Sequence, residues 1–183
     1  MQSALKTILF GGLGSGLGGL AGGALFMFAF DYDRTRLFPL LGLIIGFCCG
    51  FFINLNNKHR WLAAFYASLG GLISGVMLVL SVDKLIALPV GGLLMGVGFI
   101  IAKKPRNIRA MLKMGVSGSI IGISGYVTTT FLYIVLSMKF PIDNLVLNGT
   151  IFLTIFSCLI GSMLGLSLWL TEKKAINTIE NKA

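Results

Sequence analysis

Four aspartates stand in short polar segments between long apolar runs of this sequence: Asp31, Asp33, Asp83 and Asp143. If the apolar runs pack around one axis, these carboxylates would ring an outer vestibule and attract cations. Basic residues lie close to each of them in the sequence, however. We therefore favour the simpler interpretation, in which they are solvated loop acids.

Other groups capable of chemistry are few. The only histidine, His59, lies in the basic segment Lys58-His59-Arg60, where a solvated role is the simplest interpretation. Three cysteines lie within apolar runs, and an odd count with two adjacent members does not predict a disulfide framework. No apolar run holds a nucleophile beside an acid–base group, or a set of metal ligands. We therefore predict that the protein is not an enzyme and that it holds no metal and no cofactor.

Hydroxyl side chains cluster in the last two apolar runs. They are Ser124, Thr128, Thr129, Thr130, Thr150, Thr154 and Ser157. Such groups can line a path for a polar solute, or they can bond to carbonyls of their own helix. We favour the intrahelical bonds.

The composition indicates a membrane protein. Apolar residues make up 56% of the 183 and charged residues only 11%, whereas soluble domains carry about 25% charged residues. Six apolar runs have about the 20 residues that a helix needs to cross a bilayer. They lie at about 4–30, 37–55, 61–82, 85–102, 112–138 and 145–170. We predict an all-α polytopic membrane protein: one domain of six transmembrane helices with a short cytoplasmic tail at 171–183.

The basic residues predict the orientation. With the N-terminus inside, eleven of the 15 lysines and arginines lie on the cytoplasmic side and four on the other, in agreement with the positive-inside rule. Both termini are then cytoplasmic, and we expect a bacterial cytoplasmic (inner) membrane. The cytoplasmic set includes a basic loop (Lys103, Lys104, Arg106 and Arg109) and two residues of the tail, Lys173 and Lys174. The net charge of +9 indicates contact with anionic lipid headgroups and not with nucleic acid. An acidic cytosolic protein is the alternative partner for the basic loop and the tail.

Glycine is abundant inside the predicted spans. In lipid, small residues let helix backbones approach closely, and this contact replaces the hydrophobic force that drives packing in water. Ladders of glycines predict such contacts at Gly12, Gly16, Gly19, Gly23, Gly42, Gly46, Gly92, Gly96, Gly161 and Gly165. A second set in the first span, Gly11, Gly14, Gly18 and Gly22, lies on an adjacent face. That helix can therefore take close neighbours on two sides.

A repeat of 50 residues relates two of the spans. Pro39, Gly42 and Gly46 match Pro89, Gly92 and Gly96, and each stretch follows an acidic–basic pair. We interpret this as three glycine-rich helical hairpins, of which the third is the least regular.

Two functions remain open. The first is a non-catalytic membrane subunit that assembles through its glycine-lined helices, as a homo-oligomer or with another membrane or cytosolic subunit. It would act as an anchor, a sensor or an immunity-type component of a larger complex. The second is a small solute-binding or channel-forming subunit of a membrane transport system. A dry, sealed bundle would favour the first function, and a central cavity or a polar path would favour the second.

Overall fold

The computed structural model describes residues 4–28, 34–103, 108–139 and 145–180. All the regular structure in these residues is helical. A short 3-10 helix at Arg34–Leu37 precedes the second of the six α-helices, whose bounds are α1 (Ala4–Phe28), α2 (Phe38–Ile53), α3 (Arg60–Val79), α4 (Lys84–Lys103), α5 (Ile108–Lys139) and α6 (Leu145–Glu180). Five of them are long and apolar enough to cross a membrane, and α2 is a shorter apolar helix.

The helix lengths depart from the predicted spans in both directions. Helix α2 has 16 residues, or about 24 Å at 1.5 Å per residue. It starts with Pro39 in its first turn, where a missing N–H costs nothing. It ends at Ile53 because Asn54 folds back and donates from Nδ2 to the carbonyl of Gly50 at 3.0 Å. Helices α5 and α6 are longer than their predicted spans, since α5 already begins at Ile108 and α6 continues to Glu180.

The six helices form a closed ring. Each packs against its neighbours in the sequence, and α6 packs along the whole face of α1 to close the circle. We call the end that holds the 80–83 turn the mouth end, and the end that holds the 54–59 connection the closed end. Large side chains fill the axis at the closed end, where Ile53, Phe99, Met114, Leu164 and Leu168 are almost completely buried.

Three of the six interfaces share one pattern of glycine contacts. At each of them a Gly-xxx-Gly pair on an even-numbered helix lies against backbone carbonyls four residues apart on the next helix of the ring. The pairs are Gly42 on Gly71 and Gly46 on Ala67, Gly92 on Gly118 and Gly96 on Met114, and Gly161 on Gly11 and Gly165 on Thr7. A Cβ on any of these six glycines would collide with the facing carbonyl. The ring therefore has an approximate threefold repeat of tight pairs, α2·α3, α4·α5 and α6·α1.

This pairing differs from the predicted hairpins, which joined α1 to α2, α3 to α4 and α5 to α6. The prolines of the 50-residue repeat are also not equivalent in the structure, since Pro39 lies in the first turn of α2 and Pro89 inside α4. Two serines support the helix around Pro89: Ser119 of α5 donates to the Pro89 carbonyl and Ser74 of α3 to the Ala87 carbonyl, each at 3.0 Å. Such bonds from neighbouring helices make a proline tolerable within an apolar helix.

The remaining predicted packing glycines lie in α1, and they all face α6. A Cβ at Gly12 would meet Ser162, at Gly16 Cys158, at Gly19 the Leu153 carbonyl, and at Gly23 Thr150. The second set also divides as the spacing suggested, because Gly14, Gly18 and Gly22 face Phe52, Ile45 and Leu41 of α2. Gly11 is different, since it faces Gly161 of α6. Helix α1 thus has close neighbours on two sides.

Candidate functional site

A cavity of about 920 Å³ occupies the axis of the ring on the mouth side of the filled core, and all six helices contribute to its wall. Its inner end lies at Ser15, Cys49 and Met95, and its rim includes Asp83 and Lys84. The volume lies within the range of about 300–1,000 Å³ that is typical of small-molecule sites.

The change from filled core to open cavity follows from the residue types along the helices. Glycines of the tight pairs, such as Gly42, Gly71, Gly92 and Gly122, lie in the cavity wall. A glycine brings two backbones together but supplies no side chain to fill the axis. At the closed end, the same helices carry Phe99 and Met114, which close the axis.

One side of the cavity is more polar than the rest. Tyr126, Thr130 and Tyr133 of α5 all line it, and their spacing of four and three residues places them on one face of the helix. The Oγ1 atom of Thr130 is buried and has no hydrogen-bond partner among the described residues. The wall made by α2, α3 and α4 is mostly apolar, with Leu41, Ile45, Leu78, Leu88 and Met95.

The hydroxyls singled out in the sequence divide into two groups. Thr129 donates to the Gly125 carbonyl at 2.7 Å and Thr154 to the Thr150 carbonyl at 2.8 Å, which are the intrahelical bonds that we favoured. Thr130 and Ser157 instead have buried oxygens without a partner. Of these two, Thr130 lines the cavity.

The rim holds the one predicted vestibule aspartate within the described residues. Asp83 caps α4 by accepting the Leu85 N–H at 2.8 Å, the usual role of aspartate before a helix. The ammonium group of the adjacent Lys84 lies 5.9 Å from the centre of the Tyr126 ring. Ser81, in the same turn, has a left-handed backbone with φ of 61°, which costs free energy in a residue other than glycine. Asp31, Asp33 and Asp143 lie outside the described residues.

The predicted lipid or partner contacts are described only in part. Arg109 is exposed in the first turn of α5. Lys173 is also exposed, and its ammonium group lies 5.2 Å from the centre of the Trp169 ring. Lys104 and Arg106, and the side chains of Lys103 and Lys174, lie outside the described part of the chain.

The residues considered for catalysis do not come together. His59 is exposed, and its backbone N–H bonds to Oδ1 of Asn57 at 3.1 Å. Cys48, Cys49 and Cys158 are free thiols. Within the described residues, no three His, Cys, Asp or Glu side chains are grouped closely enough to hold a metal ion. What this part of the molecule offers is a binding volume and hydrogen-bonding groups.

No family model, curated protein or solved structure matches this chain. Its function must therefore be inferred from the ring and its cavity.

Proposed function

We propose that this chain is the solute-binding subunit of a membrane transport system, with all six helices in the bilayer and the solute held in the central cavity. The observation that carries the proposal is the cavity itself, enclosed by the ring and lined by every helix. We propose binding without a chemical step. The proposed location is a bilayer such as the bacterial cytoplasmic membrane.

The size of the cavity supports an occupant. Residual cavities destabilise proteins by about 24 cal/mol per Å³, so 920 Å³ left empty would cost about 22 kcal/mol by that measure. Native domains have only about 5–15 kcal/mol of net stability. A volume of this size must be filled, and a largely apolar wall favours an apolar occupant over water.

The glycine contacts give less support to the other function, that of an anchor, sensor or immunity-type subunit. That expectation depended on glycine faces that could receive another chain. In the ring, every glycine except Gly149 has atoms of another helix of the same chain within 4 Å of its Cβ position. A homo-oligomer stays a prediction, but the glycines no longer motivate it.

The closed end has the side chains of a membrane–water interface on the cytoplasmic side. Trp61 packs 4.8 Å from Phe51, ring centre to ring centre, and the Arg60 guanidinium lies 5.5 Å from the Phe51 ring. Aromatic and basic residues gather at bilayer interfaces, and basic residues gather on the cytoplasmic side. We propose that the closed end faces the cytoplasm, so that the mouth opens outwards.

Filling the cavity tests the proposal. The purified chain in lipid nanodiscs would be titrated with N-phenyl-1-naphthylamine, an apolar dye whose fluorescence rises when water is excluded, with empty nanodiscs as the background. Leu78→Trp combined with Leu88→Trp places two larger side chains in the cavity wall. The matched control, Val76→Trp combined with Leu93→Trp, alters the same two helices at exposed positions outside the cavity.

We expect the cavity variant to bind the dye roughly tenfold more weakly, a loss of about 1.4 kcal/mol, and the control to bind like the wild type. Unchanged dye binding in the cavity variant would contradict the proposal. So would an equal loss in both variants, because the dye would then report on the bilayer or on general stability. Native mass spectrometry of the protein from mild detergent would identify a solute that co-purifies.

A further inference from the structure

The cavity also indicates the chemical class of its occupant, on the assumption that the proposed binding function is correct. We infer that the occupant is a largely apolar, ring-containing molecule with one uncharged hydroxyl or carbonyl group, and that the Thr130 hydroxyl is the hydrogen-bonding anchor for that group.

The geometry of Thr130 is unusual for a threonine in a helix. A threonine hydroxyl in an apolar helix ordinarily bonds to the carbonyl four residues earlier, as the neighbouring Thr129 does to Gly125. Thr130 forms no such bond, although its oxygen is buried. A buried polar atom without a partner is unfavourable. Because Thr130 lines the cavity, a group on the occupant can supply the missing partner.

The other polar side chains of the deeper cavity wall are already bonded. The Ser15 hydroxyl donates to the Gly11 carbonyl, and the Ser74 hydroxyl donates to the Ala87 carbonyl. The charged residues of the described wall, Asp83 and Lys84, lie at the rim, and Asp83 is engaged in capping α4. A charged group deep in the cavity would therefore lack a counter-charge, which argues for an uncharged occupant.

The wall beside Thr130 suits a flat ring. Tyr133 meets Phe152 edge to face, with the ring centres 5.6 Å apart, and Phe152 stacks on Phe156 at 6.2 Å. All three rings line the cavity. Aromatic faces and edges add favourable contacts with another ring beyond the area that they bury. A hydroxyl or carbonyl on such a ring system can reach Thr130 while the rest contacts apolar side chains.

The test compares two ligands of similar shape. 2-Naphthol carries a hydroxyl where 2-methylnaphthalene carries a methyl group, and each would displace N-phenyl-1-naphthylamine from the protein in nanodiscs. The measured quantity is the ratio of the two inhibition constants in the wild type, in Thr130→Val and in Thr128→Val. Thr128 lies on the same helix outside the cavity lining. Partition of the ligands into lipid is common to all three proteins, so it cancels when the ratios are compared.

We expect Thr130→Val to lower the preference for 2-naphthol about fivefold, the effect of one ordinary hydrogen bond, and Thr128→Val to leave the ratio unchanged. Thr130→Ser keeps the hydroxyl and should keep the wild-type ratio. If all proteins bind the dye and give the same ratio, Thr130 is not the anchor, while the cavity remains a binding site. If the wild type does not bind the dye, the proposed function fails as well.

Melting without ligand gives a second readout. Thr130→Val removes an unpartnered oxygen, so its melting temperature should equal or exceed that of the wild type. Thr129→Val, which breaks the bond to Gly125, should melt at a lower temperature. A clear loss of stability in Thr130→Val would show that its hydroxyl has a structural partner, and this would overturn the inference.

Discussion

Replacing Gly42 by alanine places a methyl group where the carbonyl of Gly71 already lies. Neither atom can turn away as a side chain would, because both partners are helix backbone. The variant can be accommodated only if α2 and α3 separate, and the reciprocal contact of Gly71 on Gly42 is then lost too. This substitution therefore tests whether the tight pairs hold the ring together.

The expected size follows from two opposing terms. Overpacking a close contact costs about 1–3 kcal/mol, and we expect the upper end because backbone faces backbone. Alanine recovers up to about 1 kcal/mol over glycine through helix propensity. The net loss is then about 2 kcal/mol, which corresponds to a melting temperature about 4–8 °C lower for a chain of this length.

Two other glycines provide a graded comparison. A Cβ at Gly149 has no atom within 4 Å, so Gly149→Ala should gain from helix propensity and melt about 2–4 °C higher. Gly16→Ala should fall between the two, because the atom that it meets is the Sγ of Cys158, which can rotate away.

Melting is measured in detergent with a dye that fluoresces on reaction with newly exposed thiols, since Cys49 is only 1% exposed in the folded ring. Equal melting temperatures for Gly42→Ala and Gly149→Ala would refute backbone packing between α2 and α3.

Three further predictions concern the kinked helix, the orientation and the basic loop. Ser119→Ala removes the bond to the Pro89 carbonyl and should cost about 0.6 kcal/mol, seen as a small fall in the same melting assay; an unchanged melting temperature would show that the bond contributes nothing. In a variant without the native cysteines, a cysteine replacing Asp83 should react with a membrane-impermeant maleimide added to intact cells, whereas one replacing Lys58 should react only after permeabilisation. The reverse pattern would overturn the proposed orientation. Changing all four residues of the basic loop to glutamine removes about 1 kcal/mol of attraction to the anionic leaflet per charge, so labelling at position 83 should become incomplete while melting is unchanged. Complete labelling and normal function would mean that this loop is merely solvated.

The helical class was predictable from the sequence because apolar length alone decides it. Five predicted spans correspond to helices long enough to cross a membrane. The shortness of α2 was not predictable from hydropathy, because 37–55 is apolar enough and the Asn54 side chain ends the helix through a bond to Gly50. Apolarity predicts where a helix can lie, whereas its ends depend on local hydrogen bonds.

The pairing of the helices was not predictable in the same way. Gly42 and Gly46 show that some backbone approaches α2, but a Gly-xxx-Gly pair carries no information about which helix that is. The cavity was missed because it depends on side chains that are absent from the axis. Tyr126, Thr130 and Tyr133 share one helical face by spacing, and this signal could have indicated a polar wall. Nothing in the sequence distinguishes the bonded Thr129 from the unbonded Thr130.

The seam between α1 and α6 affects how the protein is made. Helix α1 enters the membrane early, yet the face that carries Gly12, Gly16, Gly19 and Gly23 packs against α6, which is synthesised more than a hundred residues later. During that interval the α1 backbone is open to lipid, to an insertion factor or to the α6 of a neighbouring chain, an exchange of the kind that produces swapped assemblies. Insertion of α6 is thus the committing step of biogenesis, and a chain that stalls before it presents a surface for quality control to recognise.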